Sequence, residues 1–289
     1  MPVKLEVENI IKNLLDKGII NLNDQDINMM KGTTDGLVYT LSEKGTPKYV
    51  LKLDHSEQID FVEKFLQAYQ NVSLLPKLLY TDPEKEFIVY SFITGTTHYN
   101  RGSKINWMIT LAKELFNHYK KYDQEAKWGR LGIPRQSWYE FNTISVESAC
   151  INIGDLLPIE DYFKVKSIVD RIGKDENNEE KYLLHGDTGV HNFVFNNSVL
   201  TGIIDPSPII GPVIYDFTYA FCSSPDDLDL ETLLASFALL NNVPIEKSRL
   251  IEEVVVQLYT RIGICVKVHP HDLEAYLKAW EYWKLIIPS

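Results

Sequence analysis

HGDTGVHN at residues 185–192 and GIIDP at residues 202–206 are the most distinctive segments of this chain. Asp187 precedes Asn192 by five positions, and Asp205 follows an apolar run that ends in Ile204. Phosphoryl transfer needs a carboxylate that orients the attacking hydroxyl, together with oxygen ligands that hold magnesium. The spacing therefore predicts Asp187 as the catalytic residue and Asn192 and Asp205 as ligands of Mg²⁺.

Two apolar stretches, 192–195 and 199–204, flank the turn residues Asn196-Asn197-Ser198. This pattern predicts a tight β-hairpin that ends at Asp205. The hairpin would place Asn192 at its entrance and Asp205 at its exit, so that both oxygen ligands approach one ion. Turn and loop positions are the alternative explanation for each of these polar residues taken alone.

These residues resemble the motifs of the aminoglycoside phosphotransferase family, whose members are kinases of small hydroxylated molecules with a protein-kinase-like fold. The family pattern is HGD, four residues, N, and an apolar strand that ends in ID. The chain also carries GPVIYDFTYA at residues 211–220, which is similar to the family's glycine and aspartate before an apolar helix. The resemblance implies that Asp216 is a structural aspartate that steadies the catalytic loop.

The resemblance further implies an α+β fold with two lobes. Residues 1–94 would form a small β-rich lobe that binds the nucleotide, and residues 95–289 a larger, mostly helical catalytic and substrate-binding lobe. Family members often carry leucine-histidine-proline-glycine where this chain has TGVH at residues 188–191, and a tryptophan where it has Pro206. His185 ends an apolar run, so we expect it to be buried and to fix the loop through backbone hydrogen bonds.

Lys52, in the apolar run YVLKLD at residues 49–54, is the predicted phosphate-binding lysine of the small lobe. A lysine pointing outward from an edge strand is the alternative. The segment 56–70 has apolar residues at helical spacing; Glu63 lies at the flank of this stripe, whereas Glu57 lies opposite it. Glu63 is therefore the predicted partner of Lys52, with an ordinary solvated glutamate as the alternative.

Gly32 and Gly36 lie one strand ahead of Lys52, in MKGTTDGLVYTL. A flexible turn at this place could cover the nucleotide phosphates with backbone N–H groups. The glycine spacing is not that of the protein-kinase glycine loop, and an ordinary hairpin turn is the alternative.

FIVYSFITG at residues 87–95 resembles the strand and hinge of family members. The resemblance makes Tyr90 the gatekeeper, assigns purine binding to the backbones of Ser91 and Ile93, and places Val50 over one face of the purine. ATP is the expected phosphoryl donor. Because a bulky gatekeeper can favour guanine in this family, GTP stays open as a donor.

Length and composition agree with a two-lobed enzyme: the chain has 289 residues, of which 45% are hydrophobic. Three widely separated cysteines predict free thiols in a reducing compartment, hence the cytoplasm. The start MPVKLEVENI lacks the regions of a signal peptide, and no apolar stretch is long enough to cross a membrane. The net charge of −11 disfavours nucleic-acid binding.

The predicted acceptor is a hydroxyl of a small molecule. Asp205 lacks a following phenylalanine-glycine and lies only eleven positions before Asp216, which leaves little room for the activation segment of a protein kinase. The acidic groups at 226–231 and 272–281 favour a cationic acceptor, although solvated acidic helices commonly look the same. An aminoglycoside antibiotic is the acceptor that the family resemblance implies.

The sequence leaves other functions open. A metabolic kinase of an amino alcohol, sugar or amino sugar is one alternative, and a non-catalytic nucleotide-binding regulator is another. The presence of Lys52, Asp187, Asn192 and Asp205 counts against the regulator. The oligomeric state cannot be read from the sequence.

Periodic apolar residues predict the helices, and Tyr276, Trp280 and Trp283 are expected to form a core stripe on the last one. Residues 128–160 receive no clear assignment. The predicted helices cover residues 7–17, 56–70, 104–119, 228–240, 244–266 and 271–285.

Overall fold

The computed structural model describes residues 2–22, 25–30, 37–97, 99–174, 179–241 and 243–287. Gly32 and Gly36 lie outside the described residues. The chain divides into two compact units, residues 1–95 and 96–289, and the boundary predicted from the sequence lies one residue earlier. The first unit is built on a β-sheet and the second is mostly helical, which confirms the predicted α+β class.

The first unit contains an antiparallel sheet and two helices, α1 and α2. Its elements are α1 (Pro2–Asp16), β1 (Gln25–Met29), β2 (Leu37–Glu43), β3 (Thr46–Leu53), α2 (Ser56–Ala68), β4 (Leu78–Thr81) and β5 (Phe87–Ser91). The strand order is β1-β2-β3-β5-β4. Helix α2 buries Ile59, Val62, Phe65 and Leu66, the apolar stripe predicted for it.

Apolar side chains from α1 and from one face of the sheet form a common core. They include Val7, Ile11 and Leu14 of the helix and Leu41, Leu51 and Val89 of the strands. Successive residues of a strand point to opposite faces. Residues next to Leu51 in sequence therefore point to the other face of the sheet.

The second unit contains a hairpin and a separate four-stranded sheet. Its strands are β6 (Trp128–Arg130), β7 (Ile133–Arg135), β8 (Tyr182–Leu184), β9 (Phe193–Asn196), β10 (Val199–Ile203) and β11 (Ile209–Gly211). Strands β9 and β10 form the hairpin predicted from the sequence. The other strands are ordered β7-β6-β11-β8, and Ile209 of β11 pairs with Arg130 on one side and with Leu184 on the other.

Helices account for most of the second unit. They are α3 (Lys104–Glu114), α4 (Trp138–Ile153), α5 (Ile159–Gly173), α6 (Val213–Cys222), α7 (Leu230–Phe237), α8 (Lys247–Val268) and α9 (Leu273–Ile286). The segment without an assignment from the sequence thus contains β6, β7, α4 and the start of α5. Within the described ranges, no helix is both long enough and apolar enough to cross a membrane.

Helix α3 ends earlier than predicted. The expected helix continued to Tyr119, but α3 stops at Glu114 and a 3-10 turn follows at Phe116–His118. Within that turn, the Asn117 side chain donates to the carbonyl of Leu239 at 2.9 Å and accepts from the amide of Asn241 at 2.7 Å. These tertiary hydrogen bonds override a local pattern that would have continued the helix.

The aromatic stripe of α9 lies in the core, as predicted. Tyr276, Trp280 and Trp283 are fully buried. The indole of Trp280 donates to Asp161 at 2.7 Å, and that of Trp283 donates to the carbonyl of Leu228 at 2.9 Å. Each buried indole N–H therefore has a partner, as its burial requires.

Candidate active site

Residues 185–192 form the loop between β8 and the β9–β10 hairpin. Gly186 has a φ of 77°, and a Cβ atom at this position would collide with the backbone carbonyl of Ser207. Both the positive φ and the close approach require glycine. Past the hairpin, the Ile204 amide donates to the carbonyl of Asn192 at 2.9 Å, so the hairpin returns the chain to the loop from which it started.

Asn192 fixes the carboxylate of Asp187. Its Nδ2 atom donates to both the backbone carbonyl and the Oδ2 atom of Asp187, each at 3.0 Å. The other carboxylate oxygen of Asp187, Oδ1, is buried and has no hydrogen-bond partner of normal geometry among the described residues, although the Tyr219 hydroxyl lies near enough to the carboxylate to lower its pKa. A buried acceptor without a partner is costly unless another group binds it, so Oδ1 can accept a ligand hydroxyl.

His191 is a second neighbour of Asp187. Its Nε2 atom lies 3.3 Å from Asp187 Oδ2. Burial alone would raise the pKa of Asp187, but the hydrogen bond and charge of His191, with smaller effects of His185 and Tyr219, lower that pKa to about 2. Asp187 is therefore an anion at neutral pH. No role for His191 was predicted from the sequence, although it lies within the motif, one residue before Asn192.

His185 is fully buried and bonds two backbone groups. Its Nε2 lies 3.1 Å from the carbonyl of Ile204, and the amide of Asp187 donates to Nδ1 at 3.3 Å. A neutral imidazole that donates from Nε2 and accepts at Nδ1 satisfies both contacts. Burial lowers the pKa of His185 to about 4, so this neutral form persists at neutral pH.

Asp216 anchors the loop from α6. The Tyr119 hydroxyl donates to its Oδ2 at 2.5 Å and the amide of Gly186 donates to its Oδ1 at 3.1 Å, while the Thr188 hydroxyl donates to its backbone carbonyl at 2.7 Å. Burial raises the pKa of Asp216 to about 7, against the opposing effect of the bonds from Tyr119 and Gly186. Tyr119 is 97 positions away in sequence, and no local pattern indicated it.

Asp205 directly follows the Ile204 carbonyl that His185 contacts. It is exposed and has a φ of 56°, in the left-handed region that residues other than glycine seldom adopt. Two residues later, the Ser207 amide donates to the carbonyl of His185 at 2.9 Å. The chain on both sides of Asp205 is thus held against the loop, and the unusual backbone conformation is supported by these bonds.

Three of the nucleotide-binding candidates of the first unit share one face of the sheet: Val50, Lys52 and Tyr90. Lys52 of β3 pairs with Val38 of β2 and Ile88 of β5, and Val50 pairs with Tyr90. Because side chains alternate along a strand, Val50, Lys52 and Tyr90 point to the face opposite Leu51. Val50 and Tyr90 are buried.

The predicted pair of Lys52 and Glu63 is not present among the described contacts. Glu63 forms its ion pair with Lys85, and Lys52 Nζ lies 3.5 Å from Asp54 Oδ2. Helix α2 packs against β4 and β5, so the turn between these strands brings Lys85 to the helix. This turn could not be located from the sequence alone.

The hinge candidates differ in which backbone groups are already used. The amide of Ser91 donates to the carbonyl of Lys77 and the amide of Phe92 to that of Lys48, both at 2.9 Å. Among the described residues, the Ile93 amide has no backbone partner. Of these three amides, only that of Ile93 is therefore left available to a ligand within the described part of the chain.

The acidic residues that suggested a cationic acceptor have structural partners. Asp229 caps α7 by accepting from the amide of Thr232 at 2.8 Å, and Asp226 accepts from the Ser224 hydroxyl at 2.8 Å. Glu274 pairs with Lys278 one turn along α9. Asp229 thus caps a helix, Glu274 belongs to a helix-surface pair and Asp226 to a loop hydrogen bond, so these three acids by themselves do not indicate an acidic pocket.

Solved structures of small-molecule kinases resemble the chain over almost its whole length. Choline kinase LicA from Streptococcus pneumoniae is 14% identical, with a TM-score of 0.59 over 97% of this chain and 99% of its own. ADP-bound aminoglycoside phosphotransferase APH(2'')-Ib is 15% identical, with a TM-score of 0.56 over 96% and 99% of the two chains.

A thermostable mutant of aminoglycoside phosphotransferase APH(4)-Ia, in ternary complex with AMP-PNP and hygromycin B, is 14% identical, with a TM-score of 0.58 over 96% of this chain and 97% of its own. At the sequence level, no protein-family model and no curated protein matches the chain. The chain therefore has the fold of the aminoglycoside phosphotransferases and choline kinase, which confirms the fold predicted from its motifs.

Proposed function

We propose that the chain is a phosphotransferase that passes the γ-phosphoryl group of a nucleoside triphosphate to a hydroxyl of a small molecule. The main support for this proposal is the hydrogen bonding of the Asp187 carboxylate. Its Oδ2 is held by Asn192 and lies beside His191, whereas its buried Oδ1 has no partner within the described chain. A fixed carboxylate with one open acceptor oxygen is the group that must orient the attacking hydroxyl.

The low pKa of Asp187 is compatible with this role. At a pKa of about 2 the carboxylate is a weak base toward a free alcohol. In the loose transition state of phosphoryl transfer, little proton transfer is needed before the phosphorus–oxygen bond to the leaving group is largely broken. Asp187 would therefore first accept a hydrogen bond from the acceptor hydroxyl and then receive its proton as the new bond forms.

Asn192 and Asp205 would hold Mg²⁺ when the nucleotide is bound. The Nδ2 atom of Asn192 is used by Asp187, which leaves the amide oxygen as its metal-binding atom, and the Asp205 side chain belongs to an exposed residue. Within the described ranges, no cluster of three or more His, Cys, Asp or Glu side chains could hold a metal. The donor set fits magnesium, which commonly takes one or two protein oxygens and completes its shell with phosphates and water. The ion would neutralise charge on the phosphates.

The nucleotide is proposed to bind the sheet face that carries Lys52, Val50 and Tyr90. Lys52 would contact the phosphates, and the Ser91 carbonyl and Ile93 amide would bind the purine of ATP or GTP. Phosphate contacts by Gly32 and Gly36 and a part for Glu63 in nucleotide binding stay predictions. Because Glu63 is paired with Lys85, any part for Glu63 requires that it exchange partners.

Two acceptor classes follow from the structural neighbours. The APH(4)-Ia structure contains hygromycin B, and another neighbour is a choline kinase. An aminoglycoside acceptor would make the chain a resistance enzyme, and an amino alcohol or sugar would make it a metabolic one.

The three cysteines are free thiols, which supports a reducing compartment such as the cytoplasm.

The proposal is tested by release of nucleoside diphosphate with magnesium and either ATP or GTP. The acceptor panel comprises aminoglycosides, macrolides, amino sugars, homoserine and choline, and ³¹P NMR of the product identifies the phosphorylated group. Acceptor-dependent release that is absent from an Asp187→Asn variant supports the kinase. Nucleotide binding without transfer to any acceptor would favour a regulator.

A further inference from the structure

Arg130 is a partly buried arginine whose recorded partner is a neutral side chain. Its Nη1 atom donates to the Ser207 hydroxyl at 2.6 Å, and no carboxylate among the described residues lies within ion-pair distance of it. By contrast, Arg135, Arg171 and Arg249 each pair with a glutamate. A guanidinium always carries its charge, and keeping it partly buried without a counter-ion is unfavourable. Arg130 therefore has unused capacity to bind an anion.

Ser207 connects Arg130 to the catalytic loop. The Ser207 amide donates to the carbonyl of His185 at 2.9 Å, and its own carbonyl lies so close to Gly186 that no side chain would fit there. Arg130 is thus one hydrogen bond away from a residue that packs on the two positions before Asp187. Strand pairing also holds Arg130 near Ser207, because Arg130 of β6 lies opposite Ile209 of β11, two residues after Ser207.

Tyr215 and Tyr219 of α6 lie within electrostatic range of Asp187, and Tyr215 also lies within electrostatic range of Arg130. Burial raises the pKa of Tyr215, while Arg130 opposes the shift and Asp187 adds to it, so both charges act on this phenol. The ring of Tyr219 lies 5.8 Å from that of Tyr215, and the charge of Asp187 also acts on Tyr219. Tyr215 is therefore a neighbour that the guanidinium and the catalytic carboxylate share.

We propose that Arg130 binds an anionic oxygen group of the acceptor substrate, a carboxylate or a phosphate, and that the Ser207 hydroxyl aims its guanidinium. This inference rests on the proposed function, because it assumes that the acceptor hydroxyl meets Asp187 Oδ1. The planar guanidinium fork matches a carboxylate or phosphate through two parallel hydrogen bonds. The acceptor would thus carry a hydroxyl for Asp187 and an anionic group for Arg130.

The test uses acceptors that differ only by the anionic group. Glycerol is compared with glycerate and with glycerol 3-phosphate, and 3-aminopropan-1-ol with homoserine. The variants are Arg130→Gln and Arg130→Lys. The matched control is Arg135→Gln, which removes an arginine from β7, the strand that pairs with the β6 strand of Arg130. Thermal melting of each variant checks that it folds.

We expect Arg130→Gln to raise KM for the anionic members by about 10- to 100-fold, the usual effect of losing a charged hydrogen-bonded pair. KM for the members without an anionic group, and nucleotide affinity, should stay within about twofold. Arg130→Lys should recover a phosphate acceptor better than a carboxylate acceptor, because lysine acts as a point charge. Arg135→Gln should behave like the wild type.

Equal loss of kcat on acceptors with and without an anionic group, with KM unchanged, would overturn the inference and assign Arg130 to the transferred phosphoryl group. Calorimetric binding of glycerate, glycerol 3-phosphate and homoserine separates this outcome from failure of the proposed function. If these compounds bind to the wild type but not to Arg130→Gln, and none of them is phosphorylated, the result would support anion binding by Arg130 and contradict the proposed kinase activity. Binding equal in wild type and variant, or absent from both, would contradict the inference even if acceptors without an anionic group are phosphorylated.

Discussion

Asn192 donates two hydrogen bonds from one atom to Asp187, to its backbone carbonyl and to its Oδ2, both at 3.0 Å. These bonds fix the rotamer of the carboxylate and direct the amide nitrogen of Asn192 away from any metal. One carboxylate oxygen is thereby satisfied, while the other stays open as an acceptor. The five-residue spacing of the motif matters because it allows this contact across a single 3-10 turn.

Tyr119→Phe should destabilise the fold. The Tyr119 hydroxyl donates to Asp216 at 2.5 Å and accepts from the amide of His185 at 3.2 Å, all in buried surroundings. Its removal leaves two buried polar groups short of a partner, at a cost of about 1–3 kcal/mol. Urea denaturation measures the free energy of unfolding.

Tyr122→Phe is the control, because this partly exposed hydroxyl has no partner recorded in the described part of the chain. Its effect should be within about 0.5 kcal/mol. Equal effects of Tyr119→Phe and Tyr122→Phe would show that the buried network contributes nothing measurable.

His185 should make stability depend on pH. Its folded-state pKa of about 4 lies below the ordinary value of 6.5, so between these values the unfolded chain binds more protons than the folded chain. The stability that the neutral imidazole contributes is present above pH 6.5 and is lost as the pH falls toward 4. The loss should reach up to about 3 kcal/mol.

The measurement is the difference in unfolding free energy between wild type and His185→Gln across this pH range. Other titrating groups are shared by both proteins and largely cancel, so the difference should shrink as the pH falls. His118→Gln, at an exposed position, controls for loss of an imidazole. A difference that does not change with pH would argue against a buried neutral His185.

Gly186→Ala should destabilise the fold more than Gly45→Ala. Both glycines have nearly the same positive φ, 77° and 78°, but a Cβ at Gly45 would have nothing within 4 Å. The control therefore reports only backbone strain, about 1–2 kcal/mol. The collision with Ser207 should add about 1–3 kcal/mol and move the loop that carries Asp187. Equal melting temperatures would contradict the tight packing of Gly186 on Ser207.

Lys52→Met should weaken binding of the magnesium nucleotide by about 10- to 100-fold, because it removes a cation from the phosphates. Lys48→Met is the control, because Lys48 lies on the same strand and pairs with Glu43. Titration calorimetry measures both. Unchanged nucleotide affinity in Lys52→Met would move phosphate binding to another residue.

Residues that act through a local motif were predictable from the sequence. The β9–β10 hairpin follows from a turn of Asn196, Asn197 and Ser198 between apolar strands, and its register places Asn192 next to Ile204. The apolar stripes of α2 and α9 are visible because helical burial repeats along the chain. Local spacing therefore indicated the loop, the hairpin and most helices.

Contacts between distant segments were not predictable in this way. Tyr119 and Arg130 reach the loop from 97 and 77 positions away along the chain, measured to their partners Asp216 and Ser207. Tyr119 lies at the end of a predicted helix that in fact stops at Glu114, and Arg130 lies in the region without an assignment, so no local pattern indicated either contact. The predicted pair of Glu63 and Lys52 is not formed, because Glu63 pairs with Lys85. A helical wheel shows which side of a helix a residue lies on, but it does not show which turn between strands packs against that side.

The central claim is that Asp187 receives the proton of an attacking hydroxyl. It is tested most directly by single-turnover transfer of the γ-phosphoryl group in wild type and Asp187→Asn, with nucleotide affinity measured on the same samples. Because the variant lacks the proton acceptor, we expect nucleotide binding to be unchanged and phosphoryl transfer to be slowed by about 10²- to 10⁴-fold. Transfer at the wild-type rate in Asp187→Asn would contradict it.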